Sequence, residues 1–240
     1  MGAAHGVAVL HGFTSTPSSV EPVVEALREA GFAVESPLLP GHGTRWQDLE
    51  STSAQQIRRQ AHAAADRLAA RCRTVSAVGL SMGGTLALHL AARRRVAGVV
   101  AVNPGLRLSP GTGAAARLVH RVKRTVPAVA GDIAMPAQCE EAYPRTPLRA
   151  VVELDRIFAQ VRRELPELRR RGTPVLLLSS ASDNVLPPGT SDPLRRALPD
   201  CQLREELLPE SLHVATLDHD AGTVCRRTVE FLAAATGFSS

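Results

Sequence analysis

The sequence predicts an α/β protein in which helices cover both faces of a mostly parallel, doubly wound sheet of about six strands. Three observations carry this expectation. Short apolar runs alternate with stretches of helical spacing from one end of the chain to the other, which is the order a parallel sheet requires. The apolar runs stop at Gly-, Pro- or Ser-containing breaks, so each is bounded as a strand is. With 240 residues and 44% hydrophobic content the chain can fill one buried core, and a single domain over residues 1–240 is expected.

Residues 7–10 form an apolar run that ends at His11-Gly12-Phe13 and the turn-forming residues 14–19; this reads as a buried strand and its exit loop. Residues 17–30 carry apolar side chains at helical spacing, with Pro17 suited to a first turn and Gly31 to a C-terminal cap. The next strand is read over residues 33–39, after which Pro40-Gly41-His42-Gly43 breaks regular structure and residues 52–71 return to helix. Residues 74–80 are β-branched and apolar, residues 81–84 make a sharp turn, and residues 85–94 have helical character. Residues 96–102, 174–179 and 202–208 complete the strands, and residues 221–235 form the closing helix. Between residues 104 and 146, Pro110, Gly111, Gly113, Pro127 and Pro136 surround an amphipathic stretch at 114–126. This segment reads as a small cap inserted into the sheet-building order. Residues 147–173 are assigned no element.

The charge is +5, and Lys123 is the only lysine, so nearly all of the positive charge is Arg. A nucleic-acid binder would gather such charge beside exposed aromatics, yet aromatics make up 3% of the chain and the arginines are interspersed with acids. No nucleic-acid partner is expected. Cys72, Cys139, Cys201 and Cys225 form no CxxC pair and no zinc spacing with His, so they read as reduced thiols and no metal is called for. The opening residues run directly into a short apolar strand, too short for a signal-peptide core or a membrane span, and a cytoplasmic location is expected.

The chemistry gathers around Gly79-Leu80-Ser81-Met82-Gly83. A bare GxSxG arises by chance in about one chain in ten of this length at ordinary Gly and Ser frequencies. Here it ends a hydrophobic strand and opens a helix, which gives the geometry of a strained nucleophile turn that lifts the hydroxyl above the sheet. A serine hydroxyl near neutral pH needs a base to take its proton, and the base needs a carboxylate to orient it. Asp183, in the loop after the strand at 174–179, is the best-placed acid; Asp192 and Asp200 read as helix-start and turn residues. His213 follows the last strand and so reaches the same sheet edge, whereas His219 lies between Asp218 and Asp220 where a capping or surface role is more natural. The oxyanion donors are expected to be the backbone N–H of Phe13, from the first exit loop, and that of Met82.

These residues resemble the bacterial monoacylglycerol lipases and related small carboxylesterases of the α/β-hydrolase superfamily. The likeness spans nearly the whole chain through Leu10-His11-Gly12-Phe13-Thr14, Leu39-Pro40-Gly41-His42-Gly43-Thr44, Gly79 to Leu86, Val185-Leu186-Pro187-Pro188-Gly189 and His213 to Asp218. The resemblance implies an α/β-hydrolase fold, a Ser81, Asp183 and His213 triad, an ester substrate such as a monoacylglycerol, and no cofactor. It also implies a substrate role for the cap: Glu140-Glu141-Ala142-Tyr143, followed by Thr146-Pro147, is similar to the segment whose glutamate receives the glycerol hydroxyls. Glu140 is the candidate, and Asn103 a second. A broad carboxylesterase and a non-catalytic ligand-binding protein are the alternatives on this fold.

Two departures bear on substrate range. Relatives carry an Asp-Trp pair early in the helix after the GHG turn, where this chain has Gln55-Gln56, and the cap between Leu106 and Met135 diverges. The basic stretch Arg117, His120, Arg121, Lys123 and Arg124 is read first as a solvated helix face and second as a transient lipid-interface contact.

Overall fold

A computed structural model describes residues 5–128 and 130–237; the start of the segment read as too short for a leader, residues 1–4, lies outside them. The first strand-helix unit is β1 (His5–Leu10), a 3-10 turn over Pro17–Val20, and α1 (Glu21–Glu29). Next come β2 (Ala33–Glu35), α2 (Trp46–Ser51), α3 (Ala54–Ala69), β3 (Thr74–Leu80), α4 (Met82–Arg93) and β4 (Val99–Val102). The segment after β4 holds α5 (Thr112–Val119), β5 (Thr125–Pro127) and β6 (Arg145–Pro147). The chain then runs through α6 (Leu148–Arg171), β7 (Val175–Ser180), α7 (Asp192–Ala197), β8 (Leu203–Leu208) and α8 (Ala221–Thr236).

Six strands form one sheet in the order β2-β1-β3-β4-β7-β8, and every pairing in it is parallel. Alternate residues of each central strand feed opposite cores, as the period of two demands. Ala8, Leu10, Ala77, Val99, Ala101, Val175 and Leu177 pack with α3, α4 and α6, whereas Val7, Val9, Val78, Leu80, Val100, Val102, Leu176 and Leu178 pack with α1 and α8. Burial on both faces accounts for the continuous apolar runs in the sequence. The chain leaves β1 toward β2 on one side and reaches β3 on the other, so the carboxyl ends of β1 and β3 flank the point where the winding reverses. Sheets of this kind open a crevice there.

Several boundaries differ from the expectation, each for a local reason. Strand β2 stops at Glu35 rather than at residue 39, because Pro37 has no N–H to continue the ladder. The amphipathic stretch at 114–126 is not one helix: α5 ends at Val119, and Thr125–Pro127 pairs antiparallel with Arg145–Pro147. The unassigned residues 147–173 contain the longest helix, α6, whose Val151, Leu154, Phe158, Val161, Leu165 and Leu168 are buried at helical spacing. Gln56 completes a capping box with Ser53 at the start of α3.

Candidate active site

Ser81 sits between β3 and α4 at φ 56°, ψ −118°, a conformation that costs a non-glycine residue about 1–3 kcal/mol. The flanking glycines make the turn possible by close approach. A Cβ on Gly83 would lie 1.9 Å from the Leu10 carbonyl oxygen, and one on Gly79 would lie 2.2 Å from the Gly83 carbonyl carbon. The start of α4 therefore rests directly on the end of β1. Ser81 donates its N–H to the Val102 carbonyl (2.9 Å), and Thr85 donates its hydroxyl to the Gly105 carbonyl (2.5 Å), which fixes the turn against the end of β4.

The same contact brings the β1 exit loop beside the serine. Gly12 is close enough that a Cβ there would touch the Ser81 Cβ at 3.7 Å. His11 stiffens this loop: Leu39 N–H donates to its Nε2 at 3.0 Å, so the proton sits on Nδ1, which donates to the Gly12 carbonyl at 2.9 Å. Burial, and secondarily the neighbouring His42, push the His11 pKa down to about 3, so this buried imidazole stays neutral and keeps its acceptor. Met82 occupies the first position of α4, whose leading N–H groups have no partner within the helix. The Phe13 and Met82 peptides thus lie on the two segments that the Gly83 contact holds together.

Asp183 leaves the end of β7 and His213 the end of β8. His213 Nδ1 lies 2.7 Å from Asp183 Oδ2, and the other carboxylate oxygen accepts the N–H groups of Val185 (2.9 Å) and Leu186 (2.8 Å). Burial alone would raise the Asp183 pKa, but the bond and charge of His213 and the two backbone donors outweigh it, so the pKa lies below the ordinary carboxylate value. His213 is buried and Asp183 largely so, whereas His219 is exposed. Ser81 and His213 line one cavity of about 530 Å³, with Phe13 at the same end. Beyond them its walls are mostly apolar, from Leu108, Val151, Leu154 and Phe158 to Val185 and Leu186, with Lys123, Asp132 and Glu140 also on the lining.

The expected substrate residues are placed differently from each other. Glu140 lines the cavity, and its Oε2 accepts the Gly131 N–H at 2.8 Å. Its neighbours fasten this part of the cap: Glu141 accepts the Thr16 hydroxyl (2.9 Å), and the Tyr143 hydroxyl donates to the Gly41 carbonyl (2.7 Å). Asn103 does not line the cavity. Its Nδ2 donates to Ser180 Oγ and to the His213 carbonyl, both at 2.8 Å, and its Oδ1 accepts the Ser180 N–H, so its amide is consumed within the protein and braces the His213 loop. The expectation of a substrate contact there is corrected on that ground.

The sequence reading gave no role to two acids that tie the cap to this site. Asp218 is fully buried and accepts the N–H groups of Ala134, Met135, Leu212 and His219 at 2.8–2.9 Å. Asp132 accepts from His213 N and from Asn184. Among the described residues no group of three or more His, Cys, Asp or Glu is arranged to hold a metal ion, and no helix is long and apolar enough to cross a membrane.

The model of the alpha/beta hydrolase family matches residues 7–226. The chain belongs to that family. This alpha/beta hydrolase is 34% identical over 229 residues to a thermostable monoacylglycerol lipase of Bacillus sp. (strain H-257), an alignment covering 95% of this chain and 90% of the relative. It is 23% identical over 230 residues to a carboxylesterase of Bacillus subtilis (strain 168), covering 94% and 91% of the two. A solved structure of the metagenome-derived lipolytic enzymes LipS and LipT superposes with a TM-score of 0.92 at 32% identity, covering 98% of this chain and 95% of that one. The monoacylglycerol lipase of Paleococcus ferrophilus shares the fold, with a TM-score of 0.78 at 21% identity over 95% of this chain and 94% of its own.

Proposed function

We propose that this alpha/beta hydrolase cleaves carboxylic esters through an acyl-enzyme and that monoacylglycerols are its preferred substrates. The observation that carries the proposal is the 2.7 Å bond between Asp183 and His213, the histidine lining the same cavity as the strained Ser81. Asp183 holds the proton on Nδ1, which leaves Nε2 as the base. Ser81 Oγ attacks the acyl carbonyl while Nε2 takes its proton, and the oxyanion accepts the N–H groups of Phe13 and Met82. The imidazolium returns the proton to the departing alkoxide, releasing glycerol. Water then attacks the acyl-enzyme with His213 as base, and the serine leaves with the proton as the fatty acid is released.

Substrate preference rests on two parts of the cavity lining. The aliphatic wall suits an acyl chain, and the Glu140 carboxylate is an acceptor for the hydroxyls of a diol head group. Outside, Leu118 and Val122 are 81% and 91% exposed on the cap, beside Arg121, which suits transient contact with an anionic lipid surface. The four free cysteines suit a reducing compartment such as the cytoplasm.

Ser81→Ala tests the mechanism: turnover of a monoacylglycerol and fluorophosphonate labelling should both vanish, and wild-type turnover would refute it. Glu140→Ala tests the preference. Monoacylglycerol should lose its advantage over a methyl ester of equal chain length, by about tenfold for a charge-assisted hydrogen bond. Equal rates for both esters in the wild type would identify a broad carboxylesterase instead.

A further inference from the structure

We propose that Asp132, in the cap, is a positioning residue that sets the alignment of His213 with Asp183; this rests on the reading of that pair as the base and its orienting acid. One carboxylate reaches both loops. Asp132 Oδ2 accepts the His213 N–H at 3.0 Å and the Asn184 N–H at 3.1 Å, and Oδ1 accepts the Asn184 side-chain amide at 2.8 Å. Asn184 directly follows Asp183, so both triad partners from β7 and β8 are adjacent to, or are, residues bonded to Asp132. The Asp132 carbonyl adds a fourth tie by accepting the Val214 N–H at 3.1 Å.

The core supplies the opposing half of the clamp. Asn103 donates to the His213 carbonyl at 2.8 Å, and Ser180 Oγ donates to the Leu212 carbonyl at 2.7 Å. The His213 peptide is thus gripped on its N–H side by the cap and on its carbonyl side by the sheet, while the ring bonds Asp183. Charged acceptors make the stronger hydrogen bonds, so the cap half is not a minor contribution. Glu140 joins this arrangement through Gly131, the residue before Asp132, which places the proposed head-group contact one peptide away from the brace.

A residue that merely pinned the cap would act on the acyl cavity, so its loss would raise KM for long acyl chains. A positioning residue acts on the base, so its loss lowers kcat even for an ester too short to need the cap. Displacing a catalytic group by about 1 Å costs on the order of 100-fold in rate. Asp132→Ala is therefore expected to lower kcat for p-nitrophenyl butyrate by about 30- to 100-fold with KM unchanged within about twofold. Asp132→Asn keeps an oxygen for the His213 and Asn184 N–H groups but loses the charge of the acceptor, and should lose about tenfold in kcat. Asn184→Ala removes one of the three side-chain bonds from an exposed residue, and should lose about threefold. Proton NMR supplies the second measurement. The deshielded Nδ1–H signal of the His213–Asp183 bond should move upfield and broaden in each variant in proportion to the loss in kcat. Should Asp132→Ala not fold, the Asp132→Asn and Asn184→Ala proteins carry the test. Unchanged kcat and an unchanged Nδ1–H signal in the folded variants, or a loss confined to KM, would overturn the proposal. Such a result would leave the Ser81 reading standing, because that reading fails only if Ser81→Ala retains turnover.

Discussion

Replacing Asp218 by Ala should loosen the cap from the sheet without touching any cavity wall. The carboxylate is fully buried and satisfies four backbone N–H groups, two in the cap at Ala134 and Met135 and two in the His213 loop at Leu212 and His219. A hydrogen bond to a charged acceptor contributes about 1.5–3 kcal/mol, but such bonds are not additive, and water reaches some donors once the side chain is gone. A total near 4 kcal/mol is the expected cost. For a chain of this size 1 kcal/mol moves Tm by about 2–4 °C, so the melting temperature should fall by about 8–16 °C.

The pH dependence gives a second handle on the same residue. Burial would raise the Asp218 pKa, but the four N–H donors outweigh it and hold it below the ordinary value of 3.8. The unfolded chain takes up its proton near pH 3.9, the folded chain only at lower pH. The stabilisation is therefore fully present above the unfolded value and is lost as pH falls through the folded one. Calorimetry of wild type and Asp218→Ala should show a constant Tm gap between about pH 5 and 8 that narrows below about pH 4. A gap under about 2 °C at pH 7, or one that persists undiminished at pH 3, would refute the reasoning.

Three further outcomes are expected. Asp183→Asn should reduce kcat by about 10³- to 10⁴-fold with little change in Tm, because the amide favours the wrong His213 tautomer; pre-steady-state kinetics with an activated ester would read it. Gly83→Ala drives a methyl to 1.9 Å from the Leu10 oxygen, so either soluble yield collapses or the protein melts at least about 3 kcal/mol early in urea titration. Glu164 joins His89 (2.6 Å), Arg93 and Gln160 away from the cavity; burial would raise its pKa, but those donors hold it at about 2. Glu164→Gln should cost about 3 kcal/mol at pH 7 while kcat per folded molecule stays at the wild-type level, and that cost should shrink only as pH falls below about 4, toward the folded value.

The sheet was legible because its residues obey one rule. Val7 to Leu10, Val75 to Leu80 and Val175 to Leu178 are buried on both faces, so apolar continuity marks them without knowledge of any partner. The positions of Ser81, Asp183 and His213 at one sheet edge follow from that order, since parallel strands put their exit loops together. The cap obeyed no such rule. Residues 125–127 form a strand against Arg145–Pro147, a pairing between segments about 20 residues apart that periodicity does not encode. Helix α6 does carry its signal in the sequence, in apolar residues 151, 154, 158, 161, 165 and 168 at helical spacing. Asp132 and Asp218 carried no signal of their own, because an acid that accepts backbone N–H groups looks in sequence like any other acid.

The approach of Gly83 to the Leu10 carbonyl also bears on how such a protein can change. The two peptides assigned to the oxyanion lie on segments brought together by main chain touching main chain, Gly83 against the Leu10 carbonyl. No side chain stands between them to be exchanged. The cavity wall, by contrast, is built of side chains, Leu108, Val151, Leu154 and Phe158 among them. The scaffold therefore separates what must stay constant from what can drift, and a library randomised at the cavity wall should yield new substrate ranges while leaving the reactivity of Ser81 toward a small phosphonate unaltered.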